Sequence, residues 1–356
     1  MLNEAVSAGE LGFLLGLVDP DSAARARSRT GVPEEDPAAA AEPPEYSPWG
    51  RPWWRDLPVS VLWWMLQEDD PRVNSLVYHH PQADDRMRYD IINGVPYGPD
   101  RSRRLKVPAD LSHYPAPELA LPSGPQALTA VLRAVTGMSQ GRAAALTVGR
   151  DDWAVVAGAD REQPLPGYAR WALAIRPDCP PALRTQFGTH RKFTNRLRDA
   201  GVVDGPGAYA TGTRPARDAL RVLAMGRWAF PLLLPEAADA LRPLVRTELG
   251  GNTEAWAVLT QLLPTFTGTL PELIATAGAI AEGAGEGAGE GADGPLSVAS
   301  GNTESPRGQE GPGHERGGPA WDSTSAGDDP WSTSPTGGRW SSGIRRIRSS
   351  WRRPSG

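Results

Sequence analysis

Apolar positions in this chain recur mainly every three or four residues, the spacing that gathers them on one face of a helix. In RDLPVSVLWWMLQEDDPRVNSLVYHHPQADDRMRYDIING, residues 55–94, an apolar run reaches Leu66 and stops at Asp69-Asp70. Asp70 is a natural N-cap, because its carboxylate can accept from free first-turn amides, and Pro71 stands at the first helical position, where its missing N–H is harmless. Pro81 ends that short helix. Asp84 or Asp85 can cap the next, which runs through Met87 and Ile91 to Gly94, a residue able to take the left-handed terminating conformation. The layout returns in YARWALAIRPDCPPALRTQFGTHRKFTNRLRDAGVV, residues 168–203: a helix with Trp171, a break at Pro177, a new cap at Asp178, a short helix, and another ending at Gly201. Asp70 to Gly94 spans 24 residues and Asp178 to Gly201 spans 23, which suggests one supersecondary unit used twice.

Other segments read the same way. Leu11, Leu14, Leu15 and Val18 form a short amphipathic helix, and Leu128, Val131, Leu132 and Val135 another. Thr213 can cap a helix bearing Ala216, Leu220 and Leu223. Asn252 or Thr253 can start one bearing Trp256, Leu259 and Leu263, stopped by Pro264. Thr269 and Glu272 match a capping box ahead of Leu273, Ile274 and Ile280. DDWAVVAGAD, residues 151–160, fits strand or helix equally.

Asp70-Pro71-Arg72-Val73, followed by Leu76-Val77 and His80-Pro81, resembles the leucine-rich-repeat-variant and HEAT-like helical repeats, in which a D-P-x-V start opens a helix that packs on the next. The resemblance covers about 25 residues of the first unit and the general layout of the second. It implies an all-α protein that stacks helices into a binding surface. The regular period of those families is missing, so the fold expected is an irregular helical array.

Residues 20–52, Pro-, Ala- and acid-rich, read as a flexible linker after a short helix at 1–19. Residues 53–281 read as the helical domain, divisible into sub-units of about 53–110 and 120–281. Residues 282–356 open with EGAGEGAGEGADG and hold 17 Gly and 7 Pro, a composition expected to be disordered.

Composition narrows the function. The net charge of -5 on 356 residues argues against a generally nucleic-acid-binding surface. Only Lys106 and Lys192 are lysines among 37 basic residues, an arginine bias that looks like GC-rich coding. Cys179, the single cysteine, allows no intrachain disulfide and no cysteine-based metal site. The N-terminus carries Glu4 and Glu10 where a signal peptide would be positive, and no apolar run of membrane-spanning length occurs; a cytoplasmic protein is expected.

Several motifs suggest chemistry. GMSQG, residues 137–141, has the letters of a hydrolase nucleophile elbow, and Asp178 and His190 follow in the order such enzymes use. The elbow needs a strand before its serine, whereas helically spaced residues precede Ser139; Ser139 as a helix N-cap explains the same letters. Cys179 and His190 offer a thiol–imidazole pair, with a helix start that would lower the thiol pKa, but no third member or oxyanion donor is identified and a lone cysteine beside a helix break more often serves as a small packing residue. His79, His80, Asp84 and Asp85 contain metal-ligand types, but adjacent histidines on a helix diverge and the aspartates are wanted as caps. GEGADG, residues 289–294, lacks the strand, helix and charge of a phosphate loop. Trp49, Trp53, Trp54, Trp63 and Trp64 crowd into 16 residues: Trp63 and Trp64 suit the core, and Trp49, Trp53 and Trp54 suit a cap on the array's end, or else an exposed aromatic anchor for a partner.

The acidic chain ends on RWSSGIRRIRSSWRRPSG. Tryptophans fall at 321, 331, 340 and 351, and Trp340, Ile344, Ile347 and Trp351 share one stripe if the segment is helical, surrounded by Arg345, Arg346, Arg348 and Arg352. That stripe suits an acidic protein groove, an anionic membrane surface or nucleic acid. The expectation is therefore a non-catalytic protein-interaction scaffold, without cofactor, metal or small-molecule substrate, that binds a protein partner through its helical surface and this terminal segment. The alternatives are a serine hydrolase using Ser139 and an accessory protein that associates with a membrane or nucleic acid through the basic end.

Overall fold

The structure, a computed structural model, describes residues 8–34, 52–187 and 191–289. Those residues form seventeen α-helices and two 3₁₀ turns with no strand, an all-α architecture. The helices are short because prolines punctuate them. Val59–Leu66 (α4), Pro71–Tyr78 (α5) and Asp85–Ile92 (α6) follow one another closely. The expected caps form: Asp70 accepts from the amides of Arg72 and Val73, and Asp84 from that of Met87. Gly94 is left-handed (φ 64°), and a Cβ there would lie 2.4 Å from the Leu105 carbonyl oxygen.

The second unit has related geometry. Leu57-Pro58, Trp63 and Asp70 are each matched 108 positions later by Leu165-Pro166, Trp171 and Asp178. Pro58 and Pro166 are both extended (ψ 143°) and each precedes an eight-residue helix, α4 and Gly167–Ala174 (α10). Pro181–Phe187 (α11) and Arg191–Asp199 (α12) follow, and Gly201 is left-handed like Gly94. Asp178 departs from its expected capping role; its carboxylate receives Arg176 and the Trp153 indole.

Several boundaries differ from the sequence reading. Ala8–Leu15 (α1) is no freestanding amphipathic helix: Leu11, Phe13, Leu14 and Leu15 are all buried, and it lies along Ala216–Ala229 (α14). The expected linker begins with a helix, Pro20–Thr30 (α2), capped by Asp19 and closed by left-handed Gly31. Its few large apolar residues conceal its packing, because the small Ala23 and Ala26 let it lie closely on Thr253–Leu262 (α16). Trp153–Glu162 (α9) settles the ambiguous stretch as helix, with Trp153, Val156 and Ala159 facing inward. Thr213 caps nothing; Pro215 occupies the N-cap position of α14. Asn252 and the Thr269–Glu272 box do cap their helices. The last helix, Leu270–Gly289 (α17), continues past Ala281 into the Gly-Glu repeat.

Buried apolar residues fall into two clusters that do not match the expected division at about 110–120. The larger joins α1, α2 and residues 54–111 to residues 209–281, including Trp54, Trp64, Phe230 and Trp256. The smaller lies within residues 128–187, around Trp153, Trp171 and Leu173. The chain thus leaves the first core, builds a second, and returns to complete the first with Pro206–Ala210 (α13), α14, Leu234–Glu248 (α15), α16 and α17.

Candidate functional site

Two places concentrate charged and aromatic side chains, and the first is the junction of the two cores. Pro125–Arg133 (α7) and Met138–Thr147 (α8) lead to a 3₁₀ turn at Arg150–Asp152. Arg150 reaches out of that turn to the carbonyls of Pro96, Tyr97 and Gly98, and stacks over Trp63 at 5.9 Å. Asp69, itself held at φ 54°, accepts the amides of Tyr97 (2.7 Å) and Gly98 (3.0 Å) from the other side. Burial, with Arg101 nearby, lowers the Arg150 pKa from its ordinary value.

Beside it, Arg176 forms a fork with Asp178 (2.8 and 2.6 Å) and donates to the carbonyls of Ala145 (2.5 Å) and Val148 (2.6 Å) at the end of α8. Burial opposes the charge on Arg176, but Asp178 outweighs it and raises the pKa. Asp84 has its pKa raised by burial, partly offset by Arg176. Asp90 accepts Arg86 (2.8 Å) and the Tyr97 hydroxyl (2.9 Å), and burial pushes that phenol well above its usual pKa. The space these groups enclose is about 10 Å³, room for about one water and no substrate. Perturbed groups mark functional sites, but they also mark ion pairs that join parts of a fold. The enclosed volume decides for the latter.

Arginine recurs in this role. Arg88 donates to the carbonyls of Tyr78 and His80, Arg104 to that of Asn93, Arg246 to that of Leu17, and Arg184 to those of Ala174, Arg176 and Pro177. Short helices leave many C-terminal carbonyls unmatched, and a guanidinium fork bridges two or three of them where an ammonium offers one point of charge. The arginine bias therefore has a structural use.

The second place is a groove of about 320 Å³ between the α3–α4 corner and α14, where α3 is Pro52–Arg55. Trp53, Leu57, Pro58 and Val222 supply apolar wall; Asp56, Arg214, Asp218 and Arg221 supply charge. Arg214 lies over the Tyr209 ring at 5.5 Å, and Arg221 pairs with the buried Glu10 at 3.1 Å. Burial raises the Tyr209 phenol, so it serves as wall and not as base.

The other sequence candidates disperse. Ser139 is exposed in the first turn of α8, whose N-cap position is Gly137, and a helix precedes it where an elbow needs a strand. It is therefore neither elbow nor cap; Gln140 instead accepts from the Thr136 amide and hydroxyl. Cys179 is buried, and burial pushes its thiol up to about 12, reversing the expected lowering by a helix start. His190 lies outside the described residues. His80 is fully buried: Nδ1 accepts the Gln82 amide, so Nε2 carries the proton and donates to the Trp54 carbonyl (2.7 Å). Among the described residues no group of His, Cys, Asp or Glu is arranged to hold a metal, and no helix is long and apolar enough to cross a membrane. Trp54 and Trp64 are core, Trp53 lines the groove, and Trp63 lies at the junction; Trp49 is outside the described residues. So are Trp340, Ile344, Arg345, Arg346, Ile347, Arg348, Trp351 and Arg352.

Sequence reasoning missed Arg150, Arg214 and Arg221. Arg150 meets its partners across more than fifty residues of chain, and no local signal announces that pairing. Comparison with protein-family models, with curated proteins and with solved structures finds no match for this chain.

Proposed function

We propose that the protein is a non-catalytic interaction scaffold whose helical body receives a segment of a protein partner in the groove beside α14. The observation that carries this reading is the groove itself. Its volume is within the roughly 300–1,000 Å³ of ligand clefts, and it pairs the aromatic and aliphatic faces of Trp53, Leu57 and Val222 with charges of both signs. Such a lining suits a peptide segment with an apolar side chain against Trp53, an acidic group toward Arg214 and a basic group toward Asp56. The hydrolase alternative has less support, because Ser139 is exposed in the first turn of a helix that follows another helix, where an elbow needs a strand and a strained turn. The basic terminal segment around Trp340 and Trp351 remains a second binding element by its composition, with a protein groove, an anionic membrane or nucleic acid as its counterpart.

The test is cross-linking and affinity capture with the full chain, with Trp53→Ala and Arg214→Glu variants, and with a chain ending at Gly289. A partner lost from the groove variants but kept by the shortened chain supports groove binding. Unchanged capture by both groove variants refutes it. A fluorophosphonate probe addresses the alternative: an adduct at Ser139 would replace the scaffold reading.

A further inference from the structure

The two buried clusters do not merge, and charged side chains concentrate where their lobes meet. Arg150 crosses from the smaller lobe (residues 125–187) to the carbonyls of Pro96, Tyr97 and Gly98 in the larger. Arg101 and Asp151 add an exposed pair at 2.8 Å, and the charges of Asp84 and Arg176 face each other across the same junction. Trp63, Met87 and Tyr97 of the larger lobe and Pro177 of the smaller also line this junction, and Arg150 supplies directed hydrogen bonds across it.

The receiving strip is prepared for Arg150. Its carbonyls point to the guanidinium while its amides at Tyr97 and Gly98 are fixed by Asp69. Asp69 occupies the left-handed region that a non-glycine residue adopts only under constraint. Gly98 is required there, because a Cβ would stand 2.6 Å from an Asp69 carboxylate oxygen. The outgoing connection between the lobes, residues 112–124, contains no helix and is largely exposed, with His113, Tyr114 and several prolines. A localised fastening beside a helix-free outgoing connection suits a hinged pair of bodies, with the return connection tied to the larger lobe by the Val203 amide on the Ser60 hydroxyl and to the smaller by Arg184 on Asp204.

We propose that Arg150 is a latch: it holds the smaller lobe against the larger one, and releasing it lets the smaller lobe swing as a unit while both cores stay folded. One guanidinium nitrogen, Nη1, lies nearest the Tyr97 carbonyl and within reach of those of Pro96 and Gly98, so one substitution removes every Arg150 contact to the strip.

The experiment places spin labels on the full-length protein at Thr247→Cys in α15 and Arg161→Cys in α9, both exposed positions; the native Cys179 is buried. The interlobe distance distribution is compared with Arg150 intact, with Arg150→Ala and with Arg150→Lys, alongside far-ultraviolet circular dichroism. Arg101→Ala, which removes only the exposed pair, is the control. The expected result is one narrow population in the parent and the control, a second and longer population in Arg150→Ala with unchanged helical signal, and a smaller second population in Arg150→Lys. A single unchanged population in Arg150→Ala overturns the latch. Should Arg150→Ala lose helical signal, Arg150→Lys decides alone: a folded protein with one narrow population overturns the proposal, and a folded protein with two supports it.

Discussion

Replacing Arg176 by methionine tests the principal ionic contact of the smaller lobe. Arg176 and Asp178 are nearly inaccessible, with side chains 10% and 3% exposed, so solvent screens their pairing little. The change deletes four hydrogen bonds: two to Asp178 and one each to the carbonyls of Ala145 and Val148. Methionine fills most of the aliphatic volume, and the dominant loss is a carboxylate left buried with the Trp153 indole as its hydrogen-bond donor and the Asp84 carboxyl nearby. Breaking such a pair by removing one partner destabilises by about 3–5 kcal/mol. Lysine at the same position keeps the charge but cannot span both the carboxylate and the α8 carbonyls, and should lose about 1.5–3 kcal/mol. Removing both partners in Arg176→Met/Asp178→Leu should cost less than the sum of the single changes, with a coupling of about 1 kcal/mol or more. Urea unfolding followed by circular dichroism measures all four proteins. An Arg176→Met protein within about 1 kcal/mol of the parent, or strictly additive single changes, would refute the argument that this fork holds the lobe together.

Three further outcomes are expected. Burial, with Arg88 nearby, lowers the His80 pKa below its ordinary 6.5, so the fold favours neutral imidazole; its contribution is complete above about pH 6.5 and is lost as pH falls below that value. The thermal midpoint should drop across that window and His80→Gln should flatten the drop, while Glu68 and Asp84, whose pKa values are raised chiefly by burial, act with opposite sign at lower pH. Gly94→Ala should destabilise by more than about 2 kcal/mol in denaturant titrations, since it adds the left-handed penalty to a Cβ pressed against the Leu105 carbonyl. A maleimide reagent at pH 8 should leave Cys179 unlabelled in the native protein and label it on denaturation, because the thiol is buried and its pKa pushed up to about 12; rapid native labelling would contradict this placement.

The helix starts were legible because capping is local chemistry. Asp70, Asp84, Asn252 and the Thr269–Glu272 box act within three residues of themselves, and the sequence alone contains everything they need. The shared layout of the two units was legible in the helix, break and terminating glycine of each, with Gly94 and Gly201 both left-handed. What failed was any inference that depended on distant neighbours. The segment around Ala23 and Ala26 looks unable to bury a core until α16 lies against it, since small residues gain from close approach only when a partner is present. Asp178 looks like another Asp70 until Arg176 and Trp153 claim its carboxylate. The division into two cores, the return of the chain to complete the first, the groove beside α14 and the Arg150 latch all join residues tens to more than a hundred positions apart. Sequence by itself thus determined the helical class and the helix starts capped at Asp70, Asp84, Asn252 and Thr269, which are settled by backbone amides and their immediate neighbours. Tertiary structure alone decided which charges are buried, which are paired and where space remains, because those follow from packing between segments that no local pattern encodes.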